Sequence, residues 1–315
     1  MKKQNKRLAI QLFGYLRSFK QCYESFFENV VKPFENAGFE VDIFMHSWDF
    51  VEGVKVSWSN ENAIEATNKP EKTPSKEYLK ALYRLKDIAI TAQPEHKDRD
   101  KFVTMRYELD YAFGSILGSY CSVYSVNALR LAYEKEHNLR YDLILCTRAD
   151  LLFHRPFTLA FLGENTKNKL FGYYGIMESE QAGLDQFYIS TPCVINAIAS
   201  LYLSLDYENL QKANLYNPEG IMQNFLVKNG IEILCLSDNN PPFKIKRSKD
   251  YEAFRKISQN DNAVFITKNE LERLRKLEHF NEFVKFYWHK RISHLRRKTR
   301  FFRYPIKKFF TFGKK

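Results

Sequence analysis

The chain has 315 residues, 44% apolar and 16% aromatic, with only 12 Gly and 10 Pro. That content supports a packed core, excludes disorder and low complexity for most of the chain, and at roughly 150 residues per domain suggests two domains or one large α/β domain with an appendage. The net charge of +12 is localised: residues 281–315 carry 12 of the 49 Lys and Arg and one acid, Glu282, while residues 1–280 are nearly neutral, with 37 basic and 36 acidic side chains.

In chain order, a basic start (Lys2, Lys3, Lys6, Arg7) precedes an apolar stretch too short and too interrupted, by Gln11 and Arg17, for a signal peptide. Residues 8–13 read as a buried strand. Gly14-Tyr15-Leu16-Arg17 turns the chain, and Ser18 with Gln21 forms a capping-box pattern opening a helix to about residue 31, punctuated by Pro33 and Gly38. Residues 39–45 alternate as a second strand, completing a βαβ unit. The polar, Pro-punctuated stretch 50–105 reads as an insertion or lid over a cleft, with one helix near 75–90. A long helix follows over about 107–137, whose Gly114, Ser115, Gly118 and Ser119 allow close packing. The apolar run 143–146 is the clearest strand. A further strand falls at 170–174, a loop and strand at 183–190, and a helix at 192–203. A helix capped by Asn217-Pro218 runs to Gly230, and a last strand spans 231–236. Strands and helices alternate throughout, the pattern of an α/β fold. No run of about 18 apolar residues suggests a transmembrane helix. The five cysteines (Cys22, Cys121, Cys146, Cys193, Cys235) have neither disulfide-framework nor zinc-ligand spacing, which suits a reducing cytoplasm.

Four constellations can carry chemistry. Gly14 through Ser18 places a close-approach glycine, a helix start and a forked cation, Arg17, at the end of the first strand, suited to an anion; the alternative is an ordinary turn. Arg148-Ala149-Asp150 follows the most apolar strand, where α/β sheets bind ligands, and in an extended segment both side chains face one way. Asp150 can hold a divalent cation or a sugar hydroxyl and Arg148 a diphosphate; a strand-end ion pair is the rival. His154 is a second metal-ligand candidate or a surface residue. Asp42 and His46-Ser47-Trp48-Asp49 end the second strand; Trp48 suits a base and Asp49 ribose hydroxyls, against a core tryptophan beside a capping acid. Asp185, followed by Gln186, and Glu219 are candidate general bases, Glu219 having a rival role in the favourable first turn of its helix.

Together, the Gly14–Arg17 opening, Asp42-Ile43-Phe44-Met45-His46-Ser47-Trp48-Asp49, Arg148-Ala149-Asp150, Asp185-Gln186-Phe187, Asn217-Pro218-Glu219 and Asn229-Gly230-Ile231 resemble bacterial GT-A-like glycosyltransferases of surface-polysaccharide (lipopolysaccharide and capsule) gene clusters. The resemblance covers about residues 8–236. It implies a mixed, mostly parallel sheet flanked by helices, and a nucleotide-diphospho-sugar donor held by Gly14, Arg17, Asp49, Arg148, Asp150 and Gln186. Asp185 or Glu219 would receive the acceptor hydroxyl. Arg148 departs from the common Asp-x-Asp pattern. Asp150 either holds Mn²⁺ or Mg²⁺ with one carboxylate, or arginine replaces the metal's charge.

The tail, residues 281–315, patterns as a basic amphipathic helix. Val284, Trp288, Ile292, Leu295 and Phe302 fall within an arc of about 80°, with Lys and Arg around the rest, which suits an anionic membrane surface better than nucleic acid. The expected organisation is a transferase domain at 1–240, a helical extension at 241–280 and a membrane-association tail at 281–315. The expected protein is cytoplasmic and peripheral on the inner face of the cell membrane, transferring sugar to a lipid-linked acceptor. The alternative is a non-catalytic adaptor binding anionic membrane or RNA through the tail.

Overall fold

The computed structural model describes residues 6–51, 71–99, 101–103, 111–163, 165–173, 175–177, 180–182, 184–213, 215, 217–236 and 241–245. The expected tail and most of the expected extension lie outside these residues. Within them, β1 (Lys6–Leu12) leads to α1 (Phe19–Phe26), a π-helical turn (Phe27–Val31) and α2 (Lys32–Asn36), then to β2 (Phe39–Trp48), α3 (Lys76–Tyr83) and β3 (Leu85–Thr91). The short strands β4 (Phe102–Val103) and β5 (Tyr111–Ala112) precede the long helix α4 (Phe113–Glu136). Then come β6 (Leu143–Thr147), β7 (Leu151–Phe153), β8 (Lys169–Gly172), β9 (Gly175–Met177), β10 (Glu180–Ala182) and β11 (Phe187–Ser190). The chain continues through α5 (Pro192–Ser200), α6 (Tyr207–Ala213), α7 (Pro218–Lys228), β12 (Glu232–Cys235) and β13 (Phe243–Ile245).

Seven strands form the main sheet in the order β12-β8-β11-β6-β1-β2-β3, and all run parallel except β11, which opposes both neighbours. The expectation of a mixed, mostly parallel α/β sheet is met. Alternation along the strands divides the core between two faces. Leu8, Ile10 and Leu12 pack with Phe26, Val30 and Phe34 beneath α1 and α2 and with Leu79 and Tyr83 of α3. Ala9 and Phe13, with Ile144 and Cys146, pack under Val123 and Val126 of α4, Ile195 of α5 and Met222 of α7.

Several local expectations are corrected. Ser18 occupies the N-cap of α1, but its backbone (φ −88°, ψ 24°) is not extended, and it offers Gln21 its carbonyl (2.8 Å), so no capping box forms. Pro33 does not end the helix. Lacking an N–H, it leaves the carbonyl of Asn29 without a helical donor, and the Phe157 N–H takes that carbonyl at 2.6 Å, so the chain continues helically to Asn36. The helix read at 75–90 is two elements. Ser75 caps α3, its Oγ accepting from the Tyr78 N–H at 3.2 Å, and Arg84 (φ 54°) breaks it. Leu85, Ile88 and Ile90 then lie in β3, paired in parallel with β2. Residues 71–91 of the expected lid therefore help build the sheet; residues 52–70 and 104–110 lie outside the described set. The long helix starts at Phe113, and at Gly114 a Cβ would lie 2.6 Å from Arg99 Cγ and 2.9 Å from its carbonyl oxygen, so glycine is required there. Residues 243–245, assigned to a helical extension, form an antiparallel strand against β7.

Candidate functional site

The chain runs from β1 outward through β2 to β3, then returns to place β6 on the other side of β1, so the strand order reverses between β1 and β6. At such a switch point the two following loops diverge and leave a crevice beyond the carboxyl ends. Register fixes which residues meet there. Leu12 pairs with Thr147, so the turn after β1 lies beside the residues after β6. Because β11 is antiparallel and Phe187 also pairs with Thr147, the residues just before β11 arrive at the same end.

The turn after β1 is held by Gly14, whose φ of +90° an L side chain would resist. Its N–H donates to Ser122 Oγ on α4 at 2.7 Å, and Ser122 Oγ also lies 2.7 Å from His46 Nδ1. His46 Nε2 is 3.0 Å from Thr91 Oγ1. Burial pushes the His46 pKa down to about 4, so the ring is neutral. Arg17 adopts a left-handed φ of 46° and donates its N–H to the Val51 carbonyl at 2.7 Å. The N–H groups of Phe19 and Gln21 are already bonded to Leu16 and Ser18 carbonyls, so those two donors are not offered to an anion as expected.

Arg17 projects to Asp150, its Nη1 donating to Oδ2 at 2.8 Å. Arg148 grips the same carboxylate with two bonds, Nε to Oδ1 at 2.8 Å and Nη2 to Oδ2 at 2.6 Å. Asp150 is fully buried, while the arginine side chains keep 18% and 15% exposure. Residues 149 and 150 form a turn, so the expected extended Arg-x-Asp pair facing one ligand is instead a two-arginine, one-aspartate ion cluster. Burial opposes the Arg148 charge, but Asp150, and beyond it Asp185 and Glu219, raise its pKa overall.

Asp185 and Glu219 meet although they lie far apart in sequence. Their side chains lie within hydrogen-bonding reach of each other. Burial raises the Asp185 pKa; Arg148 and the bond to Glu219 oppose that rise without cancelling it. Glu219 is set by α7, whose Asn217 Oδ1 accepts from the Gly220 N–H at 2.6 Å, as the Asn-Pro start predicts. Tyr120 on α4, which sequence reasoning missed, donates its hydroxyl to the Pro218 carbonyl at 2.8 Å and steadies the start of α7. Asp185 Oδ1 and Thr147 Oγ1 are sealed from solvent with no hydrogen-bond partner among the described residues, an arrangement that calls for an explanation.

Other candidates fall elsewhere. The Asp49 backbone bonds to Thr91 and Thr73, and its carboxylate bonds to none of the cluster's side chains. Gln186 is half-buried in the turn just before β11, with no side-chain bond to the cluster. Trp48 is buried against His46 and Tyr15, so it is a core residue and unavailable to a base. Asp42 accepts from the Tyr141 hydroxyl at 2.8 Å and pairs with Lys86 at 3.2 Å, a structural role. His154 is exposed and does not join the buried Asp150.

The Mn²⁺ or Mg²⁺ that the resemblance implies would need Asp150 oxygens, and this geometry does not fit one: both oxygens are engaged by guanidinium N–H groups. Among the described residues no group of three or more His, Cys, Asp or Glu is placed to hold a metal ion. No protein-family model matches the chain, and no curated protein matches it by sequence. Fold and site thus define an α/β protein with a buried arginine–carboxylate cluster at its switch point.

Proposed function

We propose that this protein is a GT-A-like glycosyltransferase, moving a sugar from a nucleotide-diphospho-sugar to a hydroxyl of a lipid-linked surface glycan, lipopolysaccharide or capsule. One observation carries the reading: Arg17, Arg148, Asp150, Asp185 and Glu219 converge beyond the carboxyl ends of β1 and β6, the end at which an α/β sheet takes its ligand. Their roles differ in kind. The arginines supply fixed positive charge for a diphosphate leaving group, and the carboxyl pair can accept a proton. In the transfer, the bond from the anomeric carbon to the diphosphate oxygen breaks and a bond to the acceptor oxygen forms. The hydroxyl proton passes to the ionised member of the Asp185–Glu219 pair, and nucleoside diphosphate departs with the bonding electrons. The buried, unbonded Asp185 Oδ1 is the kind of atom such a role leaves in the free protein.

Among the described residues no helix is long and apolar enough to cross a membrane. We assign membrane contact on the cytoplasmic face to the basic tail, on its sequence pattern alone. The test is thermal shift of the full chain against a panel of nucleotide sugars, followed by mass spectrometry of product with extracted glycolipid acceptor. One donor should stabilise the protein saturably, with Arg148→Ala weakening it by about tenfold or more. If no donor stabilises the chain while anionic vesicles or RNA bind it, the adaptor reading replaces this one.

A further inference from the structure

The Asp150 carboxylate offers two oxygens and roughly four lone-pair positions. At least three are filled: Arg148 Nε holds Oδ1, and Arg148 Nη2 and Arg17 Nη1 share Oδ2, at 2.8, 2.6 and 2.8 Å. The group is wholly buried, so no face of it turns to solvent where a hydrated ion could approach. A divalent cation bound directly to it would need to sit about 2.0–2.6 Å from an oxygen, against two guanidinium charges already in hydrogen-bond contact with that oxygen or its neighbour. The nearby carboxyls Asp185 and Glu219 are engaged with each other, and among the described residues no group of three or more His, Cys, Asp or Glu is placed to hold a metal ion.

We infer that Arg17 and Arg148, held together by Asp150, take the place of a divalent cation, so that this site binds a diphosphate without metal and Asp150 is a positioning residue. This rests on the glycosyltransferase reading for the identity of the ligand, but the metal question can be answered without activity. Asp150 keeps the two like charges close. The bidentate grip fixes the plane of the Arg148 guanidinium and leaves its Nη1 outside the contact with Asp150. The turn that carries Arg17 is independently set by the Gly14–Ser122 bond and by the Arg17 N–H to Val51 carbonyl bond. Two arginines delivered from separate strand ends can grip separate phosphoryl groups, as one metal ion would bridge them.

The experiment has two arms on the full chain. Mn²⁺ is titrated and free ion followed by electron paramagnetic resonance, for the native protein and Asp150→Asn. UDP, GDP, ADP, dTDP and inorganic pyrophosphate are titrated calorimetrically in EDTA and again with Mn²⁺. The inference expects no stoichiometric Mn²⁺ site lost in Asp150→Asn, and diphosphate affinity equal within about twofold in the two buffers. It expects Arg148→Lys to recover only part of the affinity lost in Arg148→Ala, because an ammonium cannot grip bidentately. A stoichiometric Mn²⁺ site removed by Asp150→Asn, or nucleotide binding that requires Mn²⁺, overturns the inference and leaves the glycosyltransferase reading standing. Absence of diphosphate binding in both buffers, with no Mn²⁺ site, overturns the diphosphate assignment and the glycosyltransferase reading with it.

Discussion

Lowering the pH should loosen this protein through His46. The ring is 1% exposed and bonded at both nitrogens, to Ser122 Oγ and Thr91 Oγ1, with Trp48 edge-on at 4.9 Å. Ser122 Oγ also accepts the Gly14 N–H, so the neutral ring is tied through both nitrogens into a buried chain of bonds, donating from one and accepting at the other. A second ring proton would have to enter at the accepting nitrogen, against the bond already made there and inside the core. Burial accordingly lowers the folded pKa to about 4, from 6.5 when solvated. A depressed folded pKa means the unfolded chain binds the proton first. The contribution is fully present above pH 6.5, falls as the pH drops, and is gone by about pH 4. At 1.36 kcal/mol per unit, the 2.5-unit difference is worth about 3 kcal/mol. The assay is urea unfolding of the native chain and His46→Gln at intervals from pH 8 to pH 4. The stability difference between the two should change by about 3 kcal/mol across that window, because only the native chain carries this proton linkage. Parallel curves would refute the reasoning.

Asp150→Asn should cost about 3–5 kcal/mol, because it leaves two largely buried guanidiniums facing a neutral amide. Urea midpoints check this, and a loss under about 1 kcal/mol would show the cluster to be solvated. Cys146 is buried, donates to Gln11 Oε1 at 3.2 Å, and burial pushes its thiol up to about 12. In the native protein a thiol reagent at neutral pH should label exposed Cys193 and Cys235 and spare Cys146 until unfolding, as read by peptide mass spectrometry; early labelling of Cys146 would contradict the packing.

Some of this architecture is legible locally. The apolar runs of β1 and β6, the alternation of β2, the Asn217-Pro218 start of α7 and the Gly230 stop (φ +66°) each follow from a few neighbouring residues, and the structure has them all. Leu85, Ile88 and Ile90 show the limit. Their spacing serves a helix face as readily as a strand, and only the open edge of β2 makes them a strand. Pro33 misled for the same reason: a carbonyl deprived of its helical donor is tolerable when Phe157, far along the chain, supplies one. Trp48 was a candidate for stacking on a base because sequence does not reveal that it packs against His46, Tyr15 and Gly118.

By itself the sequence determined the class of fold, the strand ends at Gly14 and Arg148, and the separation of a neutral body from a basic tail, since these depend on local polarity, short-range propensity and counted charge. Tertiary structure decided what those strand ends do. The reversed strand β11 starts where β6 stops, which brings Asp185 to the Arg148 turn, while α7 brings Glu219 to meet it. Strand direction and order are set by the packing of whole elements, so no local window contains them. The same packing buries Asp150 between two arginines and turns a candidate metal ligand into their common counter-ion.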